Sequence, residues 1–380
     1  MKSGTRAGLK KCKRILVKIG SQVLNTGHGL NNRVIERLCD DMALMRDRGR
    51  EFALVSSGAI AEGRAIMRIG DVKTALSKKQ ALAAIGQGSL MRAYTDAFRR
   101  YGYTAAQILI TREDLDERRR YLNIRNTFSS LFEMGAVPVI NENDTVAVEE
   151  IQFTDNDMLA AMILPLVEAQ LLIILTDIEG LYSKDPKAHD DAAIIREIPE
   201  LRPRDLKAFG DGGNPLGRGG IGSKLQASYR ASMLGVPTII ASAYIPQVIS
   251  SILEGKEVGT FVHPRKKAAL SQKDHWLGFV SRPKGKIFVD EGAAAMVLHK
   301  GKSLLPVGVV DVEGSFLAGD PVEIVQKGGL AIAVGLCNFT TEEIIKIMGA
   351  GTKDLALILD YDCDEEVVHR NNMILRKEIL

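Results

Sequence analysis

Short runs of β-branched and leucine residues alternate with segments of helical period along the first 140 residues, and this alternation leaves few folds open. Residues 14–19 (RILVKI), 52–55 (FALV), 104–110 and 136–140 each read as a strand. Between the first two, Val34, Leu38, Met42 and Met45 recur at intervals of four, four and three from Asn31, and the pattern closes at Gly49. Residues 77–101 carry a longer helical pattern interrupted by Gly86 and Gly88. Residues 111–125 (TREDLDERRRYLNIR) follow as a solvated helix face or subunit contact, and 128–134 complete that helix. Strand and helix in alternation predict a mainly parallel sheet covered by helices on both faces, the α/β class. A helix from Asp157 to about residue 168, an apolar strand at 171–175 and a last buried strand at 235–240 extend the pattern.

At 380 residues the chain exceeds the roughly 250–300 at which single cores stop growing, so a second domain is expected. The pattern changes near residue 285 to short β-rich runs separated by Gly and Asp, which predicts a small barrel. The expected boundaries are 1–262 for the large domain, 263–283 for a charged linker (HPRKK, then RPK) and 284–380 for the small one. Between residues 284 and 360, seven Lys, no Arg and ten Asp plus Glu leave a net charge of −3, a poor fit to RNA phosphates. The whole chain, at +3, offers no electrostatic case for nucleic acid or membrane. Four scattered cysteines, no apolar run long enough for a bilayer and no signal peptide predict a cytoplasmic protein with reduced thiols. The histidines and cysteines show no metal-ligand spacing.

Residues 135–157, GAVPVINENDTVAVEEIQFTDND, hold the densest set of candidate site residues. Asn141, Glu142, Asn143 and Asp144 arrive where a strand must turn, and Asp155, Asn156 and Asp157 precede a helix. Polar groups at the carboxyl end of a strand mark the usual ligand crevice of an open α/β sheet. Asn and Asp also serve turns and N-caps, but two clusters exceed what turns need; they suit an amine and a metal better than a phosphate.

Elsewhere the candidates suit anions. Lys18 lies at a strand tip beside Gly20-Ser21, placed to reach a phosphate, although a lysine there also snorkels to solvent. The second strand breaks into Ser56-Ser57-Gly58-Ala59 before a helix, an arrangement that offers free N–H groups but is common in turns that bind nothing. Thr176-Asp177 end the strand at 171–175. Six glycines in the eleven residues 212–222 lead through Ser223 and Lys224 into a helix, so the backbone there can approach a polyphosphate. The order Gly222-Ser223-Lys224 is not that of a P-loop.

In sequence order, VKIGSQVL, SSGAIAEG, VPVINENDTVA, TDND, LLIILTD, EGLYSKDP and GGIGSKLQA closely resemble the glutamate 5-kinases, which have the amino acid kinase fold. DEGAAAMVLHKGKSLLPVGV and GSFLAGDPVEI are similar to the PUA domain that these kinases carry. The resemblance implies transfer of the γ-phosphoryl group of ATP, with Mg²⁺, to the side-chain carboxylate of L-glutamate, the first step toward proline. It implies substrate contacts from Ser57, Gly58, Asn141, Asp144 and Asn156. It implies a nucleotide site from Lys18, Thr176, Asp177, Arg218, Gly219, Gly220, Ile221, Gly222, Ser223 and Lys224. Catalytic roles fall to Lys18, Lys224 and Asp157, the last holding both ammonium groups in register.

The resemblance further implies feedback inhibition by proline at the glutamate site, a homo-oligomer, and delivery of the labile acyl phosphate to glutamate-5-semialdehyde dehydrogenase. Ser21-Gln22 stands where Thr-Ser is common and Arg218 where Thr is common, which affects individual hydrogen bonds but neither lysine. Three other readings compete: a kinase of the same fold with another acceptor, an RNA-binding protein acting through the PUA-like domain, and a regulatory paralogue without turnover. The joint presence of VINEND and the PUA-like tail opposes the first, the acidic tail the second, and the retained lysines and Asp157 the third.

Overall fold

The computed structural model describes residues 4–70, 75–147, 155–184, 186, 189–210, 220–265 and 269–379, with side chains of 207–210 excepted. The chain divides into two compact units, 1–269 and 270–380.

In the first unit the apolar runs become β1 (Arg14–Ile19), β2 (Glu51–Ser56), β3 (Ala105–Ile110), β4 (Val137–Glu142) and β5 (Leu171–Thr176). After a short antiparallel pair, β6 (Leu181–Tyr182) with β7 (Ile194–Ile195), come β8 (Glu197–Ile198), β9 (Thr238–Ser242) and β10 (Thr260–Val262). The strand order is β3-β4-β2-β1-β5-β9-β10-β8, parallel from β3 to β9. The sheet does not close at β9 as expected, because β10 adds antiparallel to it and β8 pairs with β10. β1 pairs with β2 on one side and β5 on the other, so the direction of winding reverses beside it. Such a reversal opens a crevice at the carboxyl ends of the strands.

β1, β2 and β5 are buried along almost their whole length, Lys18 of β1 included, as strands covered on both faces are. The helix Asn32–Arg46 starts where Asn31 accepts a hydrogen bond from the Val34 amide, and Val34, Leu38, Met42 and Met45 are its buried stripe. The charge-rich segment resolves into Arg112–Asp116, closed by a Thr111/Asp114 capping box, and Arg118–Glu133, capped by Glu117. The helix Asn156–Val167 is buried over nearly its whole length, so it reads as a continuous apolar run.

The helices Ala59–Ile66 and Leu76–Arg99 cross unusually closely. A Cβ on Gly63 would lie 1.9 Å from the Leu82 carbonyl oxygen, and one on Gly86 would lie 1.9 Å from that of Ala59. Only glycine at both positions permits this approach.

The second unit is β-rich. β11 (Gly285–Val289), β12 (Val309–Gly314), β13 (Pro321–Gln326), β14 (Leu330–Leu336) and β15 (Met373–Leu375) form a mixed sheet in the order β12-β11-β13-β14-β15. Ile287, Val322, Ile324, Phe339 and Ile344 lie at its core. The segment expected to link the domains is split: His263 and Arg265 fall in the first unit. Residues 272–280 instead turn helically, with Trp276, Leu277 and Val280 buried and Gly278 against Ile374 and Ile379. Basic residues at 263–267 and 282–284 conceal this apolar turn in a reading by charge.

Candidate active site

Three ionised side chains from three elements converge where winding reverses. Lys18 is the penultimate residue of β1, Asp157 is in the first turn of Asn156–Val167, and Lys224 is in the first turn of the helix Ile221–Met233. Lys18 Nζ lies 2.5 Å from Asp157 Oδ1, and Lys224 Nζ lies 3.2 Å from Oδ2. The Ser223 hydroxyl also donates to Oδ2, at 3.0 Å. All three charged groups are buried: Lys18 is 3%, Asp157 0% and Lys224 7% exposed.

Burial favours the neutral carboxyl of Asp157, but the two lysines and the Ser223 hydroxyl outweigh it and hold the group below its ordinary value of 3.8. For Lys18, burial outweighs the pull of Asp157, and the neighbouring Lys224 adds to it, so the ammonium sits below its usual 10.5. Two lysine ammonium groups share the Asp157 carboxylate, and the Asp155 carboxylate also acts on Lys18, so two cations face two anions in this buried cluster.

Local structure fixes these positions. Asp155 caps the Asp157 helix, its Oδ1 accepting from the amides of Asp157 (2.7 Å) and Met158 (3.0 Å). The Gly20 amide donates to Leu175 O at 3.1 Å, tying the ends of β1 and β5.

Beside the lysines stands a set of neutral amides. Ser57 and Gly58 follow β2; Gly58 has φ +111°, the left-handed region that favours glycine. Asn141, the penultimate residue of β4, is almost fully buried. The Asn156 amide nitrogen donates to Ser57 Oγ at 2.8 Å and to Asn141 Oδ1 at 3.0 Å. Because Asn156 and Asp157 are consecutive, one helical turn carries both the amide set and the anion between the lysines.

The remaining candidates are less tightly joined. Asp144 lies half-buried in the turn after β4. Thr176 is buried at the end of β5 and donates to Asp177 Oδ1 at 3.0 Å, while Asp177 is exposed. Gly220 caps the Lys224 helix, and Ile221, Gly222 and Ser223 form its first turn. Arg218 and Gly219 lie outside the described residues. Among the described residues no group of three or more His, Cys, Asp or Glu side chains is arranged to hold a metal ion.

Asp155, one of the polar residues expected before this helix, is its N-cap. One residue of this site escapes a reading by motif. Gln87, which accepts from Asn141 Nδ2 at 3.0 Å, sits mid-helix between two glycines, where nothing in its spacing distinguishes it from a solvated side chain.

A buried lysine pair on one carboxylate, at the reversal point of a mainly parallel sheet, has the charge and position to meet a phosphoryl group. Residues 13–242 match the amino acid kinase family and residues 285–359 the PUA domain, and the chain belongs to the amino acid kinase family. Within it, the relatives that match over nearly the full length are glutamate 5-kinases, and this chain is a member of that group. That of Geobacter metallireducens is 44% identical over 369 residues, covering 97% of this chain and 98% of the relative. That of Maridesulfovibrio salexigens is 44% identical, covering 97% of each. That of Geobacter sulfurreducens is 42% identical over 376 residues, covering 99% and 100%. No helix among the described residues is long and apolar enough to cross a membrane.

Proposed function

We propose that this crevice transfers the γ-phosphoryl group of ATP to the γ-carboxylate of L-glutamate, giving γ-glutamyl phosphate and ADP, the first step of proline biosynthesis. The observation that carries this reading is the adjacency of Asn156 and Asp157: one helical turn joins an amide set suited to an amino acid to a buried pair of ammonium groups suited to a transferring phosphoryl group.

The acceptor carboxylate is ionised at neutral pH and needs no general base. Catalysis then consists of alignment and charge neutralisation. Lys18 and Lys224 place their ammonium groups on the transferring phosphoryl oxygens, and Asp157 holds both in register without becoming the base. Asn156 and Asp144 supply acceptors for the substrate ammonium, and Ser57, the Gly58 amide and Asn141 complete the amino-acid pocket. The nucleotide lies toward Thr176 and Asp177, covered by residues 218–224. Bound together with the nucleotide, magnesium would supply further neutralisation of phosphate charge.

Proline, also an amino acid, competes with glutamate for the amide set. The chain works as a homo-oligomer in the cytoplasm and delivers its labile acyl phosphate to glutamate-5-semialdehyde dehydrogenase. The test is hydroxylamine trapping of the acyl phosphate with ATP and Mg²⁺, comparing L-glutamate, L-aspartate and N-acetyl-L-glutamate. Hydroxamate from glutamate alone is expected; hydroxamate from another acceptor alone would overturn the assignment of the pocket. Inhibition by proline that glutamate cannot relieve would overturn the shared site.

A further inference from the structure

We infer that Gln87 is a positioning residue for the amino-acid substrate, setting the direction in which the amide set presents its donors and acceptors. The inference rests on glutamate occupying the Asn156 pocket, as proposed above.

A side-chain amide can be turned over without changing its shape, and only its hydrogen-bond partners fix which end is the acceptor. Gln87 Oε1 accepts from Asn141 Nδ2 at 3.0 Å, which commits Asn141 to turn its oxygen toward Asn156. Asn141 Oδ1 accepts from Asn156 Nδ2 at 3.0 Å, and the same nitrogen donates to Ser57 Oγ at 2.8 Å. Both N–H groups of Asn156 are thereby used, and its carbonyl oxygen is left as an acceptor for the crevice. The Ser57 oxygen, having accepted, keeps its own proton to donate. The polarity of the pocket, an acceptor for an ammonium beside a donor for a carboxylate, is thus continuous with one carbonyl on the helix Leu76–Arg99.

The same helix is registered to the pocket by its backbone. Gly86, the preceding residue, lies so close to Ala59 that a Cβ would meet its carbonyl oxygen at 1.9 Å, and Ala59 directly follows the Ser57-Gly58 turn. One face of the helix reaches the acceptor loop twice. Seven residues before Gln87, Gln80 Nε2 donates to Ala147 O at 3.0 Å, on the turn that follows Asp144. Ser57, the Ala59 helix, Gln87, Asn141 and Asn156 therefore form a closed circuit around the amide set. A half-exposed glutamine chosen only for solubility would not need to face a nearly buried asparagine.

The test compares wild type with Gln87→Leu, Asn156→Ala and the double variant, by steady-state kinetics and by calorimetric binding of L-glutamate. Gln87→Leu is expected to raise KM for glutamate by on the order of tenfold, the scale of one lost hydrogen bond, with KM for ATP and the thermal midpoint near wild type. Because both residues act through one circuit, the double variant should be little worse than Asn156→Ala alone. Unchanged glutamate KM and affinity in Gln87→Leu, or penalties that multiply in the double variant, would overturn the inference while leaving the proposed reaction intact. Equal losses of glutamate and ATP binding with a lowered midpoint would reduce Gln87 to a structural role and overturn it too. A wild-type protein that neither binds nor turns over glutamate would overturn the reading beneath both.

Discussion

The Lys18 ammonium lies 2.5 Å from the Asp157 carboxylate, and both side chains are closed to solvent. Lys224 shares the same carboxylate at 3.2 Å, so one anion holds two ammonium groups. Asp157 is the counter-ion on which both cations depend. Replacing it by asparagine leaves two ammonium groups buried without their anion. Loss of one partner of a buried ion pair costs about 3–5 kcal/mol, so Asp157→Asn should lower the unfolding free energy by an amount of that order. Turnover should fall at least about 10²-fold, as for loss of comparable preorganised groups. Denaturant unfolding alongside a turnover assay checks both, and a variant of wild-type stability would show that Asp157 is not the anchor of the pair.

The lysines and the amides should fail differently. Lys18→Ala or Lys224→Ala removes charge needed in the transition state, so kcat should fall by about 10²–10³-fold. KM for glutamate should stay near wild type. Asn156→Ala should do the reverse, raising KM for glutamate with a smaller change in kcat, because it removes substrate contacts that persist through the reaction. Arginine should not rescue either lysine, since its planar fork does not fit a point contact with one carboxylate oxygen. Steady-state constants for the variants test this separation.

Acid and alkali act on the cluster with opposite consequences. Burial raises and the lysines lower the Asp157 carboxyl, with the lysines prevailing. The stability it contributes is therefore present above 3.8 and is lost as pH falls through its lower folded value. Lys18 is depressed by burial, so its protonated form burdens the folded state, and that burden lifts as pH rises toward 10.5. Loss of its proton also removes catalytic charge. Between the folded value of Lys18 and 10.5, kcat should thus decline while this group's contribution to stability improves. A pH profile of kcat at saturating substrates, set beside unfolding midpoints, would expose the divergence; kcat level up to pH 10.5 would contradict it.

The parallel sheet was legible because its strands are short, mainly apolar runs bounded by turn residues, as at 14–19 and 171–175. Lys18, Asn141, Asn156, Asp157 and Lys224 were legible because each sits near the end of a strand or the start of a helix. β10, three residues long, was hidden by its brevity, and the turn at 272–280 by the charges that flank it. Gln87 was illegible for a different reason. Its role depends on a partner 54 residues away, a pairing that periodicity and motif spacing do not encode.

The two glycines that interrupt the helix Leu76–Arg99 have different physical grounds, and substitution should separate them. A Cβ on Gly86 would sit 1.9 Å from Ala59 O and 2.5 Å from the Gly63 amide nitrogen, both backbone atoms that cannot turn aside. A Cβ on Gly88 would meet nothing within 4 Å. Alanine restricts the unfolded chain and favours a helix interior by about 0.5–1 kcal/mol over glycine. Gly88→Ala should therefore raise the unfolding midpoint. Gly86→Ala gains the same term but must push the helices apart, an overpacking cost of about 1–3 kcal/mol, so its midpoint should fall. The shift also carries Gln87 away from Asn141, so Gly86→Ala should raise KM for glutamate while Gly88→Ala leaves it unchanged. Midpoints moving in the same direction would mean that the crossing of these helices yields to a methyl group and does not hold the amide circuit in place.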